Sequence, residues 1–309
     1  MDKKKVLIFG SNGLVGKSLN RVLAKSQKIS EIVPSTRNDT NLFSFDETKK
    51  TIEKIKPDLI INAAAKVGGI HANNTNRVEF LTENLKINLN ILESSTYIKN
   101  VKIINLGSSC IYPLNAENPI NEDALLSGKL EPTNSPYAMA KLTAIELGDA
   151  LTKQYGYEVL NLMPTNLYGP NDNFDELSSH VIPGLIARMH NAKLNKDDSF
   201  SIWGSGTPKR EFLYVDDLSD CIEFLMDKNL KENLLNVGSG YEVTILELAN
   251  LIKDTIGYEG EITLDSTKPD GNPRKLLDST LINNLGWSAK TNLKEGLALT
   301  YDYYVKNSV

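Results

Sequence analysis

Tyr137-Ala-Met-Ala-Lys141 places a phenol and an ammonium four residues apart. On a helix this spacing puts both on one face. A nearby ammonium favours the phenolate and draws a phenol's pKa down from ~10. Such a tyrosine donates a proton to a carbonyl oxygen that is gaining negative charge. Ser108, in Gly107-Ser108-Ser109-Cys110, adds a hydroxyl able to hold the same oxygen opposite the phenol. The chemistry that suits these three side chains is reduction of a ketone. A second pattern implies the reductant. Gly10-Ser11-Asn12-Gly13-Leu14-Val15-Gly16 has the spacing G-x-x-G-x-x-G. Between a strand and a helix, the first glycine allows a tight turn, the second lets backbone approach a pyrophosphate, and the third lets helix pack closely on strand. The helix N-terminus then offers N–H groups and positive dipole to the phosphates. The pattern predicts dinucleotide binding. An acidic residue after the second strand suits a ribose 2′-OH and an arginine suits a 2′-phosphate. Arg37 lies there and favours NADP(H), with Asp39 as its competitor.

These residues need elements that bring strand ends together. Strands are predicted at Val6–Phe9, Glu31–Val33, Asp58–Asn62, Val101–Leu106 and Val159–Met163. Helices are predicted at Leu14–Ser26, Glu47–Ile55, Val78–Thr96 and Ala138–Tyr155. Strands separated by helix-length segments imply βαβ units, a parallel sheet and right-handed crossovers. The fold class is α/β, a Rossmann-type doubly wound parallel sheet with a smaller α+β substrate lobe. After Pro164 the loops lengthen, which suggests a cleft. Helices at Ile182–His190, Val215–Met226, Ile245–Ile256 and from Leu293 mix there with strands at Phe200–Trp203 and Ile262–Leu264. We expect an NADP-binding domain over 1–164, with returns from about 210–240. The remainder, 165–309, is expected to be mainly an interleaved substrate lobe.

Composition bounds the rest. The 309 residues correspond to about two domains at ~150 residues each, or one large one. Net charge is −5 and the pI about 5.4, which argues against nucleic-acid or anionic-membrane partners. Two cysteines exclude a disulfide framework, and with three histidines no metal site is expected. No run of apolar residues is long enough for a signal peptide or a membrane span. The expectation is a soluble cytoplasmic protein.

Taken together, the glycine loop, Ser108 and Tyr137/Lys141 resemble the extended short-chain dehydrogenase/reductase family, in its sugar-nucleotide branch. Longer strings carry the resemblance from end to end. They include Ala63-Ala64-Ala65-Lys66-Val67-Gly68-Gly69-Ile70, Gly107 through Pro113, Glu131-Pro132-Thr133-Asn134, and Met163 through Pro170. Ser179-His180-Val181-Ile182-Pro183, Trp203 through Pro208 and Lys268-Pro269-Asp270-Gly271 continue it. They match the members that epimerise GDP-4-keto-6-deoxy-D-mannose at C3 and C5 and then reduce C4 to give GDP-L-fucose. Asn12 departs from members with an arginine near the 2′-phosphate, so Arg37 carries more of the NADP preference.

The resemblance implies roles for residues whose own chemistry leaves alternatives open. Cys110 alone is either a reactive thiol or a packed small hydrophobe, and His180 either an acid or an ordinary histidine. By resemblance Cys110 is the epimerisation base and His180 the acid. Cofactor contacts are implied for Gly10, Ser11, Asn12, Gly13, Leu14, Val15, Gly16, Arg37, Leu106, Gly107, Ser108 and Ser109. Lys141, Pro164, Thr165, Asn166, Leu167 and His180 complete that set. Arg188, Trp203, Arg210, Asp270 and Lys275 are implied to bind the GDP-sugar, with a solvated arginine and a packed tryptophan as the plain alternatives. A homodimer joined through the helices near Val78–Thr96 and Ala138–Tyr155 is implied as well. His71, His190 and Cys221 match no functional position and read as structural. Two other readings stand beside this one: a nucleotide-sugar 4-epimerase with bound NAD, and a catalytically silent nucleotide-binding scaffold. The intact Ser108/Tyr137/Lys141 set weighs against the scaffold, and Cys110 with His180 against a simple epimerase.

Overall fold

Four consecutive apolar residues, Val6 to Phe9, are fully buried. Side chains alternate along a strand, so such a run needs cover on both faces. The computed structural model describes residues 3–175, 178–268 and 270–307, apart from the side chains of Ile70 and His71, and it supplies that cover. The reading of His71 as structural therefore lies outside the described residues. β1 (Lys4–Phe9) leads to α1 (Leu14–Leu23), β2 (Ile29–Ser35), α2 (Phe45–Ile55), β3 (Leu59–Asn62), α3 (Ile70–Thr75) and α4 (Arg77–Ser95). Next come β4 (Lys102–Leu106), α5 (Ser135–Tyr155) and β5 (Glu158–Pro164). The second half holds β6 (Asn166–Tyr168), α6 (Val181–Asn195), β7 (Ser199–Trp203), β8 (Lys209–Tyr214), α7 (Val215–Leu225) and β9 (Leu234–Val237). It ends with β10 (Glu242–Thr244), α8 (Ile245–Ile256), β11 (Glu261–Asp265), β12 (Arg274–Lys275), α9 (Thr280–Asn284) and α10 (Leu293–Asn307).

The main sheet has the order β2-β1-β3-β4-β5-β9, and every pair in it is parallel. This is the predicted Rossmann-type doubly wound sheet. The chain steps outward from β1 to β2, then returns across β1 to β3. Winding therefore reverses between the carboxyl ends of β1 and β3, where such sheets bind ligands. Val6 and Ile8 pack with Leu19, Leu23, Leu218 and Ile222. Leu7 and Phe9 pack with Ile87, Ile91 and Ala144. Helices α1 and α7 thus cover one face, and α4 and α5 the other.

A polar thread crosses this apolar sheet. Asn62, Asn105 and Asn161 stand in register on β3, β4 and β5, all fully buried. Asn62 Nδ2 donates to Asn105 Oδ1 at 2.8 Å, and Asn105 Nδ2 to Asn161 Oδ1 at 3.0 Å. Asn62 Nδ2 also reaches Asn88 Oδ1 on α4 at 3.0 Å, and Asn88 Nδ2 donates to the Ala140 carbonyl on α5 at 3.3 Å. Buried amides are costly unless paired, so this ladder locks α5 to the sheet in one rotation. Tyr137 and Lys141 are carried on that helix. It begins at Ser135, three residues before the predicted start, which puts Tyr137 in its first turn.

In the second half β6, β10 and β12 all border on β8, and β7 pairs with β11. Tyr168, Leu185, Phe212, Leu248, Ile252 and Leu297 form its core. Strands β7 and β11 are predicted from the sequence; β6, β8, β10 and β12 are not. Three of these four are only two or three residues long, and pairing with β8 defines them more than propensity does.

Candidate active site

The carboxyl end of β4 delivers three groups to one place. Ser108 is extended and opens a tight 3-10 turn over Ser109–Ile111. Its hydroxyl accepts the Cys110 N–H at 3.3 Å and is hydrogen-bonded to the Tyr137 phenol. Lys141 is 2% exposed, and its Nζ donates to the Leu106 carbonyl at 2.7 Å. The same Nζ lies 5.7 Å from the centre of the Tyr137 ring. Phe80 meets that ring edge-on at 6.3 Å.

The electrostatics differ from the expectation that Lys141 lowers the phenol's pKa. Burial pushes the Tyr137 phenol above its ordinary value, the Cys110 charge pushes it further, and the Ser108 hydrogen bond only partly opposes them. The physical reason is that Lys141 spends its ammonium on the Leu106 carbonyl. A phenol so held stays protonated at neutral pH, which is the form that donates. Burial pulls the Lys141 ammonium down to about 8. At ~1.4 kcal/mol per pKa unit, the fall from 10.5 corresponds to about 3 kcal/mol of cost to the charged form.

Lys141→Met should therefore lose reduction yet gain stability. Leaving the Leu106 carbonyl unpaired returns about 1–3 kcal/mol of that cost, so the net gain at pH 7 is about 1 kcal/mol. The sign with pH follows from proton counts. Between about 8 and 10.5 the unfolded chain holds a proton on this lysine that the folded chain does not, so the parent gains stability as pH rises. Thermal melts should show a variant advantage of about 2 °C at pH 7 that vanishes as pH rises through this window. A variant that melts below the parent at pH 7 would contradict the assignment.

Cys110 is half-buried in the turn after Ser108. Its sulfur accepts Asn134 Nδ2 at 3.6 Å. Arg210 on β8 is near enough for its charge to interact with Cys110, and burial lowers its own pKa, a trend that Cys110 opposes. The second half of the chain thus reaches the strand-end cluster. His180 is the N-cap residue of α6. The residue is exposed as a whole, yet desolvation by the surrounding protein lowers its pKa from the ordinary 6.5, so it is mainly neutral at pH 7. The segment leading to it sits on Gly69, whose N–H donates to the Ser178 carbonyl at 3.2 Å. A Cβ on Gly69 would stand 2.8 Å from the Ser179 carbonyl oxygen, and one on Gly68 would stand 3.3 Å from Phe80. The glycine pair after Val67 therefore seats the His180 segment beside the ring that touches Tyr137.

The dinucleotide loop fits its proposed ligand. Gly10 has φ +78° and lies so close to Ala63 and Ala64 that a Cβ would come within 2.7 Å of their backbone. Gly13 is different, because a Cβ there would meet only the Gly10 carbonyl oxygen, at 3.5 Å. The protein leaves that space open. Gly13 caps α1 with no side-chain bond, and the first turn carries no acid. The Ser11 hydroxyl is buried with no partner. A phosphate would satisfy all of these donors. Arg37 is exposed, and among the described residues it makes no hydrogen bond or ion pair. Asp39 instead accepts from the Thr36 N–H at 2.8 Å and hydroxyl at 2.6 Å, which hold its carboxyl low. Its carboxylate is spent on its own turn.

Trp203 is 62% exposed, with Arg188 5.6 Å and Lys268 5.8 Å from its ring. This cationic aromatic ledge suits a base and phosphates. Asp270 accepts from the Ser205 N–H at 2.9 Å and hydroxyl at 2.7 Å, which ties its segment onto the turn after Trp203. Lys275 pairs with Arg210 across β12 and β8. Pro164, Thr165, Asn166 and Leu167 run from β5 into β6. There Thr165 Oγ1 and Asn166 Nδ2 donate to the Glu211 carbonyl at 3.1 and 2.8 Å. Sequence reasoning missed Glu211. Its buried carboxylate accepts the Gly240 N–H at 2.8 Å and the Leu277 N–H at 3.1 Å, joining three segments behind Arg210. The signal was an acid between Arg210 and the apolar run from Phe212. Asn134 and the asparagine ladder were missed as well, since neither follows from periodicity. Cys221 is buried in the core and His190 bonds the Tyr301 hydroxyl at 3.0 Å, as structural residues would. A groove of about 1060 Å³ lies at the opposite, amino ends of the strands. Its Lys102 is already engaged by the Leu225 and Lys228 carbonyls and by Glu158.

A doubly wound sheet with a glycine-rich first turn and a strand-end Ser/Tyr/Lys cluster defines a nucleotide-dependent oxidoreductase or epimerase. The chain belongs to the NAD dependent epimerase/dehydratase family, whose model matches residues 6–238. It is 47% identical to GDP-L-fucose synthase 1 of Arabidopsis thaliana over 303 residues, 98% of this chain and 94% of that one. It is 43% identical to GDP-L-fucose synthase of Escherichia coli K12 over 316 residues, covering 99% and 98%. Among solved structures, a GDP-L-fucose synthetase from Naegleria fowleri bound to NADP superposes with TM-score 0.90 at 28% identity, covering 100% and 96%.

Proposed function

We propose that this chain converts GDP-4-keto-6-deoxy-D-mannose to GDP-L-fucose, by epimerisation at C3 and C5 followed by reduction at C4 with NADPH. The observation that carries this reading is one strand-end cluster in which Cys110, Ser108 and Tyr137 interact, with Lys141 beside the Tyr137 ring. Cys110 removes the protons beside the ketone, and His180 returns protons from the other face. Ser108 and Tyr137 hold the C4 oxygen, where negative charge collects in both stages. A bound NADPH supplies the hydride. Tyr137 then gives its proton to the C4 oxygen, while Lys141 orients Tyr137 and holds the nicotinamide ribose. Ser11, Gly13 and the α1 N-terminus receive the pyrophosphate, and Arg37 the 2′-phosphate. Arg188, Arg210 and Trp203 hold the GDP moiety, with Asp270 and Lys275 beside them.

The two-lobe division, with an NADP-binding part over 1–164 and a substrate part over 165–309, belongs to this reading. So does a cytoplasmic homodimer joined through α4 and α5. The dimer is supported by the exposure of Val78 and Met139 on those helices. Among the described residues no helix is long and apolar enough to cross a membrane. The test mixes purified protein with NADPH and GDP-4-keto-6-deoxy-D-mannose and follows nicotinamide absorbance. NADPH should be consumed faster than NADH, with GDP-L-fucose as product. No consumption of either nucleotide would overturn the reading.

A further inference from the structure

Glu131-Pro132-Thr133-Asn134 has no part in the mechanism so far. Asn134 takes the N-cap position of α5, three residues before Tyr137, yet its side chain makes no cap bond. Its Oδ1 is buried without a partner, so helix capping does not account for the residue. Its Nδ2 instead donates to Cys110 Sγ at 3.6 Å, a hydrogen-bond distance for the larger sulfur atom. The segment is braced. The Glu131 carboxylate accepts the Asn134 N–H at 3.1 Å, the Thr133 N–H at 3.0 Å and the Thr133 hydroxyl at 2.6 Å. Burial raises that carboxyl, but these bonds outweigh it and keep it ionised. Arg77 donates to the Pro132 and Thr133 carbonyls at 2.8 and 3.3 Å.

We propose that Asn134 is the positioning residue of Cys110, its amide N–H fixing the sulfur in the cleft and stabilising it as the thiolate. The proposal rests on the reading of Cys110 as the epimerisation base. An N–H donor binds an anionic acceptor about twice as strongly as a neutral one, so this contact favours thiolate over thiol. Arg210 adds positive charge near the same sulfur. The amino end of α5, where Asn134 is the N-cap residue, adds its positive dipole.

The test is the pH dependence of Cys110 alkylation by iodoacetamide in the full-length enzyme, with Cys110→Ser as the blank. Cys221 is fully buried, and burial pushes its thiol up, so it stays silent. Asn134→Ala should raise the midpoint by about one pH unit, slowing alkylation about tenfold below it. Asn134→Asp keeps the shape but puts a carboxylate at the sulfur, and should raise the midpoint further. A purely structural asparagine would leave the Ala variant's profile where the parent's is, whereas the Asp variant's added charge moves the midpoint in either case. An unmoved midpoint in Asn134→Ala overturns the proposal, whatever the Asp variant does. The base assignment is read separately: undiminished exchange of substrate C3 and C5 protons in Cys110→Ser would end that reading without moving the alkylation result.

Discussion

Replacing Tyr137 with phenylalanine should slow NADPH consumption by about 10²–10⁴-fold, while exchange of the substrate's C3 and C5 protons with heavy water falls far less. The magnitude is that of a lost general acid. The ring should stay where it is, because its edge-on packing against Phe80 needs no hydroxyl. What disappears is the phenol proton, which burial and the nearby Cys110 keep in place at neutral pH. Ser108 remains to hold the C4 oxygen when the enolate forms, and so proton exchange survives. Nicotinamide absorbance and proton NMR in heavy water read the two stages independently. A variant that consumes NADPH at the parent rate would remove Tyr137 from the reaction.

Cys110→Ser should do the reverse. Exchange at C3 and C5 should fall by about 10²–10⁴-fold, because a serine hydroxyl ionises far less readily than a thiol, which has a pKa near 8.5. NADPH should still be consumed, at a rate reduced far less, as Ser108, Tyr137 and Lys141 are untouched. The product would then be a reduced sugar that has not been epimerised. Serine keeps the donor–acceptor pattern of the turn after Ser108, so the fold should hold. Undiminished exchange would remove Cys110 as the base. The two variants together separate the epimerase half of the cleft from the reductase half.

Much of this site was legible because its parts are local. The glycine loop needs only a strand, a turn and a helix within a few residues, and Tyr137 and Lys141 need only one helical turn. Those constraints leave a mark in linear spacing. The Asp39 and Arg37 alternative was written in a single segment too, and hydrogen bonds within that segment bear on it. Other features left no such mark. Asn62, Asn105 and Asn161 are far apart in the chain and meet only because three parallel strands align them. Glu211 joins Thr165, just after β5, to Gly240 and Leu277, each distant in sequence.

The direction of the Tyr137 shift shows the same divide. The i, i+4 spacing brings Lys141 beside Tyr137, and from spacing alone the ammonium should win. Burial of the phenol and the tie from Lys141 to Leu106 reverse the outcome. Desolvation depends on everything that packs around a group, and no local pattern encodes that. The sequence by itself determined the doubly wound sheet and the dinucleotide turn, since these follow from short-range periodicity, and it named Ser108, Tyr137 and Lys141 as candidates by their chemistry and Cys110 and His180 by resemblance. Only the tertiary structure decided which protons those groups hold, and it alone set Asn134 against Cys110. Both depend on burial and on contacts between segments that the chain keeps apart until it folds.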